Sequence, residues 1–282
     1  MTAYADLDQQ QLDREYSPSS RAPDFEDTLG RYATQSAEAL ASLRCSLNVR
    51  YGPGPEELVH FFPADRPAAP VVVYVHGGHW QALSKEDSCF AAPQVVAAGA
   101  AFAALGYGLA PGCRLDQMVR SVRRGLHWFA QNAARLGLRS DAIYAAGSSA
   151  GAHLVAAATS RIPGGRAQPV AGLCLLSGVY DLEPIRLSYV NDAVGLDQAA
   201  ARAHSPLFHL PLAAGSVIVA RGGAETAEYA RQHESFARAL VDTGHRVVDL
   251  VDPGRNHFDL PLDLGVRGTA LGDALLAQLD LR

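Results

Sequence analysis

Cysteine is scarce in this sequence, and the few cysteines are scattered. They lie far apart, in mostly apolar or turn contexts, and none forms a Cys-x-x-Cys pair. This pattern favours neither a disulfide framework nor a zinc site. We therefore expect reduced thiols in a cytoplasmic protein. The four positions are Cys45, Cys89, Cys113 and Cys174.

The sequence also lacks long apolar runs and any concentration of positive charge. No apolar run approaches the roughly 20 residues of a membrane-spanning helix, and the polar first 27 residues do not resemble a secretory leader. Basic and acidic residues are interleaved, with a net charge of −5. We therefore expect no membrane association and no nucleic-acid partner, because these need an apolar span or a basic surface.

The composition that remains is that of a globular protein. Of the 282 residues, 48% are hydrophobic and 19% are charged. Because α/β folds of this length often form one domain, we expect a single domain over residues 1–282. Residues 1–43 are polar and tend towards helix, and we expect them to pack on this domain as an N-terminal lead-in.

Hydrophobic patterning predicts an α/β fold. Residues 45–64 indicate two short antiparallel strands around a Gly/Pro turn. From residue 70, apolar runs such as "PVVVYV" alternate with helical segments, which predicts a mostly parallel sheet with helices on both faces and the hairpin at one edge. Functional groups should collect beyond the carboxyl ends of the parallel strands. Helices are expected over residues 84–98, 115–136 and 226–241, after the serine pair, and at the C-terminus.

The stretch "GSSAG" (residues 147–151) carries the strongest chemical signal. It matches Gly-x-Ser-x-Gly with Ser149 at its centre, directly after an apolar strand and before a small-residue helix. In this context the serine projects from a sharp strand-to-helix turn, and the amides of the helix N-terminus favour developing negative charge. An ordinary turn serine is the alternative. We predict that Ser149 is a nucleophile and that Ser148 shapes the turn.

A serine nucleophile needs a base, which follows the serine and the acid in the chain order of the hydrolase elbow fold. His257 lies in "DPGRNHFDL", a loop after the last predicted strand, where the base of this fold normally lies. His233 falls within a predicted helix and His245 opens a strand. His204 and His209 lie in a mixed segment, and the sequence alone does not exclude them as the base. We predict His257 as the base.

Two carboxylates compete for the third position of a catalytic triad. Glu225 directly follows "VIVARGGA", after a predicted strand, whereas Asp181 follows the preceding strand. Asp192 and Asp197 are weaker candidates. Glutamate can serve as the third member in this fold, although its extra methylene requires a compensating backbone position. We predict Glu225 as the acid, with Asp181 as its main rival.

An oxyanion hole has its own sequence pattern. The stretch "HGGHW" (residues 76–80) follows a β-branched strand and matches a loop in which glycine amides donate to the oxyanion. We expect the amides of Gly77, Gly78 and Ala150 to form the hole.

The two histidines of the same loop also fit a metal site in principle. No carboxylate or cysteine lies near His76 or His79 in the sequence, so we predict no metal. His76 is better explained as a buried hydrogen-bonding support for the loop. Trp80 fits either the core or the wall of a substrate pocket.

Several segments together carry a resemblance to a known family. Their order and spacing are similar to those of arylformamidase (kynurenine formamidase), within the α/β-hydrolase superfamily, and the N-terminal lead-in resembles that family too. The Trp80-Gln81 extension and the "ETAEYARQ" box are more specific than the other patterns, which hormone-sensitive lipase-type esterases share. The segments are "VYVHGGHWQALSKED", "GYGLAPGCRLDQMVRSVRRGLHW", "GSSAGAHL", "SGVYDL", "GGAETAEYARQHESF" and "NHFDL".

The resemblance implies hydrolysis of N-formyl-L-kynurenine to L-kynurenine and formate. Carried over by motif, Ser149 is the nucleophile, Glu225 takes the acid position and His257 is the base. The chemistry requires no metal or organic cofactor, and the partner is a small-molecule substrate. Some members of the family form dimers, which leaves a homodimer open. A formamidase should have a small acyl pocket and an aromatic leaving-group pocket, for which Trp80 and Tyr16 are candidates, with core packing as the alternative.

The sequence departs from the commonest family pattern at four positions. His79 stands in place of tyrosine, Ser148 in place of histidine, Glu225 in place of the more usual aspartate, and Gly112 in place of a frequent glutamate. His79 and Ser148 border the predicted site, so the exact amide or ester stays open.

Three alternatives therefore accompany the formamidase prediction. They are a carboxylesterase acting on small acyl esters, a formamidase or amidase of a biosynthetic pathway, and a binding module without catalysis. A module that has lost catalysis is expected to lack at least one catalytic position, and here all are present.

Overall fold

Eight strands form one sheet in the computed structural model, which describes residues 4–160, 169–212 and 215–281. The strands are β1 (Ser46–Arg50), β2 (Leu58–Phe62), β3 (Ala69–Val75), β4 (Ala101–Leu105), β5 (Leu138–Ser148), β6 (Gly172–Leu176), β7 (Val217–Ala224) and β8 (Val247–Asn256). Their order in the sheet is β1-β2-β4-β3-β5-β6-β7-β8.

The sheet is mostly parallel, with its antiparallel pairs at one edge. β1 pairs with β2, and β2 with β4, in antiparallel register. The pairs from β3–β4 to β7–β8 are all parallel. The prediction of a parallel sheet with an antiparallel N-terminal hairpin at its edge is therefore confirmed.

The described helices connect these strands and cover both faces of the sheet. They are α1 (Gln9–Glu15), α2 (Phe25–Ser42), α3 (Ala92–Ala97), α4 (Leu115–Asn132), α5 (Ala150–Thr159), α6 (Glu183–Leu187), α7 (Asn191–Val194), α8 (Gln198–Ala203), α9 (Ala227–Asp242) and α10 (Ala270–Gln278). The segment 181–213, mixed in the sequence pattern, contains α6, α7 and α8. Within the described ranges, no helix is both long and apolar enough to cross a membrane.

One predicted helix, over residues 84–98, is shorter than expected. α3 begins only at Ala92, and a 3-10 turn occupies Glu86–Ser88 before it. The Ser84 hydroxyl donates to the Asp87 carboxylate at 2.7 Å, and the Ser88 hydroxyl donates to the Ser84 carbonyl at 2.6 Å. Such local side-chain bonds compete with helical backbone bonding, so a regular helix starts only after them.

The β-branched run that predicted a buried strand forms β3, and every residue of β3 is buried. Val71, Val73 and Val75 pack in a core with α4 and α5, whereas Val72 and Tyr74 belong to a second core that includes α10. Successive side chains of a strand point to opposite faces of the sheet. A continuous apolar run is therefore buried only if helices cover both faces.

The N-terminal segment lies against α9 and the loop after β8. The Tyr16 hydroxyl donates to Glu228 at 2.8 Å, and the Thr226 hydroxyl donates to the Glu15 carbonyl at 2.7 Å. The Tyr32 hydroxyl donates to the Phe258 carbonyl at 2.5 Å. These contacts place α1 and α2 beside the carboxyl end of the sheet.

Candidate active site

The backbone turns sharply at Ser149, between the end of β5 and the start of α5. Its φ of 53° and ψ of −121° lie outside the regions that non-glycine residues usually occupy. The Ser149 amide donates to the Leu176 carbonyl of neighbouring β6 at 2.8 Å, which ties the turn to the sheet. The side chain is 7% exposed. A strained residue held by its surroundings is typical of a functional turn.

Glycine on either side of the turn is required by close backbone contacts. A Cβ added to Gly151 would lie 2.0 Å from the Val75 carbonyl oxygen, and one added to Gly147 would lie 2.6 Å from the Gly151 backbone. These contacts are with backbone, which cannot rotate away. The two glycines therefore allow α5 to begin directly against the end of β3.

Gly151→Ala should destabilise the protein by at least about 3 kcal/mol, because the added methyl group overpacks against fixed backbone. Gly30→Ala is the matched control, since a Cβ at Gly30, in α2, meets nothing within 4 Å. The control should stabilise by up to about 1 kcal/mol through helix propensity. Thermal or urea unfolding of both variants measures the difference, and equal midpoints would show that the turn tolerates a side chain.

His257 is paired with Glu225 across the ends of two strands. Its Nδ1 lies 3.0 Å from Glu225 Oε2, and the glutamate side chain is fully buried. A carboxylate only accepts hydrogen bonds, so Nδ1 carries the proton and Nε2 is left free to accept one. The carboxylate is itself fixed, because Glu225 Oε1 accepts from the Ser177 hydroxyl at 2.7 Å and from the Gly222 amide at 2.6 Å.

One cavity of about 210 Å³ brings the nucleophile and the base together. Ser149 and His257 both line it. The ring of Tyr229 packs against that of His257, with centroids 4.5 Å apart. The serine and the imidazole therefore share one pocket at the carboxyl end of the sheet. The lining residues are Pro18, Ser19, Phe25, Leu29, Tyr32, Gly77, Gly78, His79, Ala82, Leu83, Ser148, Ser149, Tyr189, His257 and Phe258.

The glycine loop after β3 lines the same cavity. Gly78 has a φ of +94°, and a Cβ there would lie 2.2 Å from the Ala82 carbonyl. Within the described part of the chain, the Gly77 and Gly78 amides donate to no protein acceptor. Ala150 is the first residue of α5, where amides lack intrahelical acceptors. Free amides beside a serine hydroxyl are what an oxyanion hole needs.

His76 supports this loop from within. Its Nδ1 donates to the Gly77 carbonyl at 3.0 Å, and its ring stacks on Tyr107 with centroids 4.4 Å apart. Burial lowers the pKa of His76 to about 4, so its ring is neutral at neutral pH. In the described ranges, no group of three or more His, Cys, Asp or Glu residues is arranged to hold a metal ion.

The rival acids occupy other positions in the fold. Asp181 Oδ1 accepts from the Glu183 amide at 3.1 Å, beside α6. Asp197 caps α8 by accepting from the Ala200 amide at 2.7 Å. Asp192 lies within α7. The rival bases, His204 and His209, line a different cavity that does not include Ser149, between α4, α5 and α8.

Two residues considered for the substrate pocket lie in the interior instead. Trp80 is 0% exposed, and its indole N–H donates to His153 Nδ1 on α5 at 3.3 Å. Tyr16 is also 0% exposed, and its hydroxyl bonds to Glu228 and Gln232 on α9. Neither is among the residues that line the catalytic cavity. Their positions favour the core-packing alternative.

His79, the third candidate, does line the cavity. Its Nε2 lies 3.2 Å from the Tyr229 hydroxyl, and its φ is 50°. Burial, and then repulsion from His257, lower the pKa of His79 to about 4. His79 is therefore a neutral hydrogen-bonding group in the wall of the site at neutral pH.

Several residues of the site were not singled out in the sequence. Tyr229, Ser177 and Gly222 contact the predicted triad, and Tyr189, Phe25 and Phe258 line its cavity. Tyr229 lies in the "ETAEYARQ" box. Because this box is specific to the family, it was the sequence signal that could have pointed to Tyr229. Ser177, Gly222 and Phe258 also lie in segments that carry the family resemblance, but the sequence does not mark them as site residues, because packing of distant segments brings them to the site.

Comparison with known proteins shows the family of this chain. The chain is 33% identical over 298 aligned positions to the kynurenine formamidase of Salmo salar, covering 100% of this chain and 98% of the salmon protein. The chain belongs to the kynurenine formamidase family. A model of the BD-FAE family also matches residues 59–162.

Solved structures similar to this kynurenine formamidase family member support its α/β-hydrolase fold. A Silicibacter sp. TM1040 protein proposed to be a thioesterase has a TM-score of 0.81 at 25% identity, with 94% of this chain and 98% of that one covered. The Pyrobaculum calidifontis esterase has a TM-score of 0.74 at 21% identity, with 97% of each chain covered. The α/β-hydrolase fold expected from the sequence is therefore confirmed.

Proposed function

We propose that this protein is a serine hydrolase that cleaves N-formyl-L-kynurenine to L-kynurenine and formate. The observation that carries the proposal is the hydrogen bond from His257 to the buried Glu225 carboxylate, because His257 lines the same cavity as Ser149. Membership of the kynurenine formamidase family supports the choice of substrate.

In the proposed acylation, Ser149 attacks the formyl carbon while its proton moves to Nε2 of His257. The amides of Gly77, Gly78 and Ala150 hold the oxyanion. His257, now an imidazolium held by Glu225, then gives its proton to the departing aniline nitrogen. This proton is needed because an unprotonated anilide leaves poorly.

Deacylation reverses the same proton path. Water loses a proton to His257 as it attacks the formyl-serine, and the Ser149 oxygen recovers a proton from the imidazolium when formate departs. All of these steps use side chains and backbone amides of the chain itself.

The cavity suits a small acyl group next to a planar leaving group. Its volume is about 210 Å³, and Phe25, Tyr32, Tyr189 and Phe258 contribute aromatic surface to its wall. A formyl group needs little room, and an aniline ring packs favourably on aromatic side chains.

The cytoplasmic location and the homodimer considered from the sequence stay predictions.

The experiment that tests the proposal compares substrates on one preparation of enzyme. We expect a higher kcat/KM for N-formyl-L-kynurenine than for p-nitrophenyl acetate or butyrate. An esterase acting on small acyl esters is the second candidate, which the fold shared with the Pyrobaculum calidifontis esterase favours. Rapid turnover of the esters with none of the formamide would reject the formamidase proposal in its favour.

A further inference from the structure

Ser177 follows the end of β6, directly after the residue that holds the nucleophile turn. The Leu176 carbonyl accepts from the Ser149 amide at 2.8 Å, and the Ser177 hydroxyl donates to Glu225 Oε1 at 2.7 Å. Ser177 is 2% exposed and is not one of the described residues that line the catalytic cavity. Its contact with the site is therefore with the acid and not with a substrate.

The two oxygens of the Glu225 carboxylate have different partners. Oε1 accepts from the Ser177 hydroxyl and, at 2.6 Å, from the Gly222 amide, whereas Oε2 accepts from Nδ1–H of His257 at 3.0 Å. Gly222 belongs to the same strand end as Glu225. The Ser177 hydroxyl is thus the donor that ties this carboxylate to the neighbouring strand. Because glutamate has one more rotatable bond than aspartate, its carboxylate needs this additional restraint.

The backbone of Ser177 favours a different residue from the one present. Its φ of 49° lies in the left-handed region, which glycine occupies at the least cost. The Ser177 amide donates to the Ala220 carbonyl of β7 at 2.7 Å, a bond that any residue except proline can make. Backbone requirements therefore do not explain a serine at this position, and the hydroxyl does.

We propose that Ser177 is a positioning residue for the catalytic acid, whose hydroxyl holds Oε1 of Glu225 so that Oε2 faces Nδ1 of His257. The inference rests on the function proposed above. His257 takes a proton from Ser149 in acylation and from water in deacylation. In both steps a fixed carboxylate keeps Nδ1 protonated and stabilises the imidazolium, so Ser177 should assist both half-reactions.

The test uses two variants that remove the hydroxyl, Ser177→Ala and Ser177→Gly. Ser177→Ala should lower kcat about 10- to 100-fold, as expected for loss of a hydrogen bond to a charged group that must stay aligned. KM should be unchanged, on both N-formyl-L-kynurenine and p-nitrophenyl acetate. Labelling of Ser149 by a fluorophosphonate should slow by a similar factor, because it also needs an aligned base.

Ser177→Gly separates the hydroxyl from the backbone. Glycine relaxes the left-handed conformation, so this variant should unfold at the same temperature as Ser177→Ala or a higher one. It should nevertheless lose as much kcat as Ser177→Ala. A merely structural role predicts the opposite, namely that activity recovers together with stability.

Ser121→Ala is the matched control. The Ser121 hydroxyl also donates at 2.7 Å to a buried glutamate, Glu57, which accepts a glycine amide as well, from Gly54 at 2.9 Å. Ser121 lies on α4 and does not line the catalytic cavity. Its loss should change thermal stability and leave kcat and the rate of labelling at the wild-type values.

A double variant tests whether Ser177 acts through the acid. Once Glu225→Gln has removed the carboxylate, adding Ser177→Ala should lower kcat by less than about twofold more, because residues that act as a unit are not additive. A full further loss in the Glu225→Gln background would mean that Ser177 acts by another route, and would overturn the inference.

The remaining outcomes separate this inference from the proposed function. Ser177→Ala with wild-type kcat and labelling would overturn the inference, as would a loss confined to KM or a kcat that Ser177→Gly restores. If Ser177→Ala does not fold, Ser177→Gly decides by the same measurements. Activity retained by Ser149→Ala would instead refute the proposed function. Turnover of the ester without the formamide would refute the formamidase proposal and leave the role of Ser177 measurable on the ester.

Discussion

Ser149→Ala should lower kcat by roughly 10⁴- to 10⁶-fold on any substrate of this enzyme. The hydroxyl is the only atom lost, and the proposed reaction passes through a covalent bond to that oxygen. Oxyanion-hole donors and substrate binding alone leave only a residual rate. Initial rates with N-formyl-L-kynurenine and with p-nitrophenyl acetate measure the effect.

The adjacent serine gives the sharpest control for this variant. The Ser148 hydroxyl is 2.9 Å from that of Tyr74, which belongs to the second core, and Ser148 borders the catalytic cavity without being at the turn. Ser148→Ala should therefore change kcat only a few-fold. Both variants should unfold close to the wild-type midpoint, since neither substitution adds volume. The nucleophile is misassigned if Ser148→Ala proves the more damaging of the two.

Glu225→Gln should lower kcat by roughly 10³- to 10⁴-fold, as loss of the acid does in other Ser-His-acid triads. The amide can present its NH₂ group to Nδ1 of His257, which moves the imidazole proton to Nε2. A base protonated at Nε2 cannot accept the Ser149 proton. The Ser177 hydroxyl and the Gly222 amide can still donate to the amide oxygen, so the loop should stay folded.

Asp181→Asn is the matched control, because it makes the same carboxylate-to-amide change at the rival acid. Its Oδ1 accepts from the Glu183 amide rather than from a histidine. An asparagine oxygen can accept the same bond, so we expect less than a few-fold change in kcat. Steady-state rates for the two variants decide the acid, and a larger loss at Asp181 would exclude Glu225 from the triad.

Local sequence was sufficient where a function depends on a short stretch of backbone. The turn at Ser149 needs glycine on both sides because α5 begins against the Val75 carbonyl, and that requirement is visible as Gly-x-Ser-x-Gly. The burial of β3 on both faces is likewise visible as a continuous β-branched run. Helix boundaries were less well predicted, as the 3-10 turn at Glu86–Ser88 shows.

Local sequence was insufficient to identify a site residue where two distant segments each offer a candidate for the same role. Glu225 and Asp181 each follow a strand, and nothing in either neighbourhood tells which carboxylate reaches His257. The structure separates them because β7 and β8 are neighbours, so that the residues at their ends meet at 3.0 Å. Trp80 and Tyr16 were ambiguous for the same reason, since aromatic side chains serve equally well in a core and in a pocket wall.

The sequence by itself determined the α/β-hydrolase architecture, the serine turn, the glycine loop and the histidine loop. Each is encoded in consecutive residues, through periodicity or through the backbone freedom of glycine. Only the tertiary structure decided which acid contacts His257, that Trp80 and Tyr16 are interior, and that Tyr229 contacts both His79 and His257. Two of these contacts join residues that are 150 positions (His79 and Tyr229) and 212 positions (Tyr16 and Glu228) apart in the sequence. Chain packing, rather than local preference, brings such residues together.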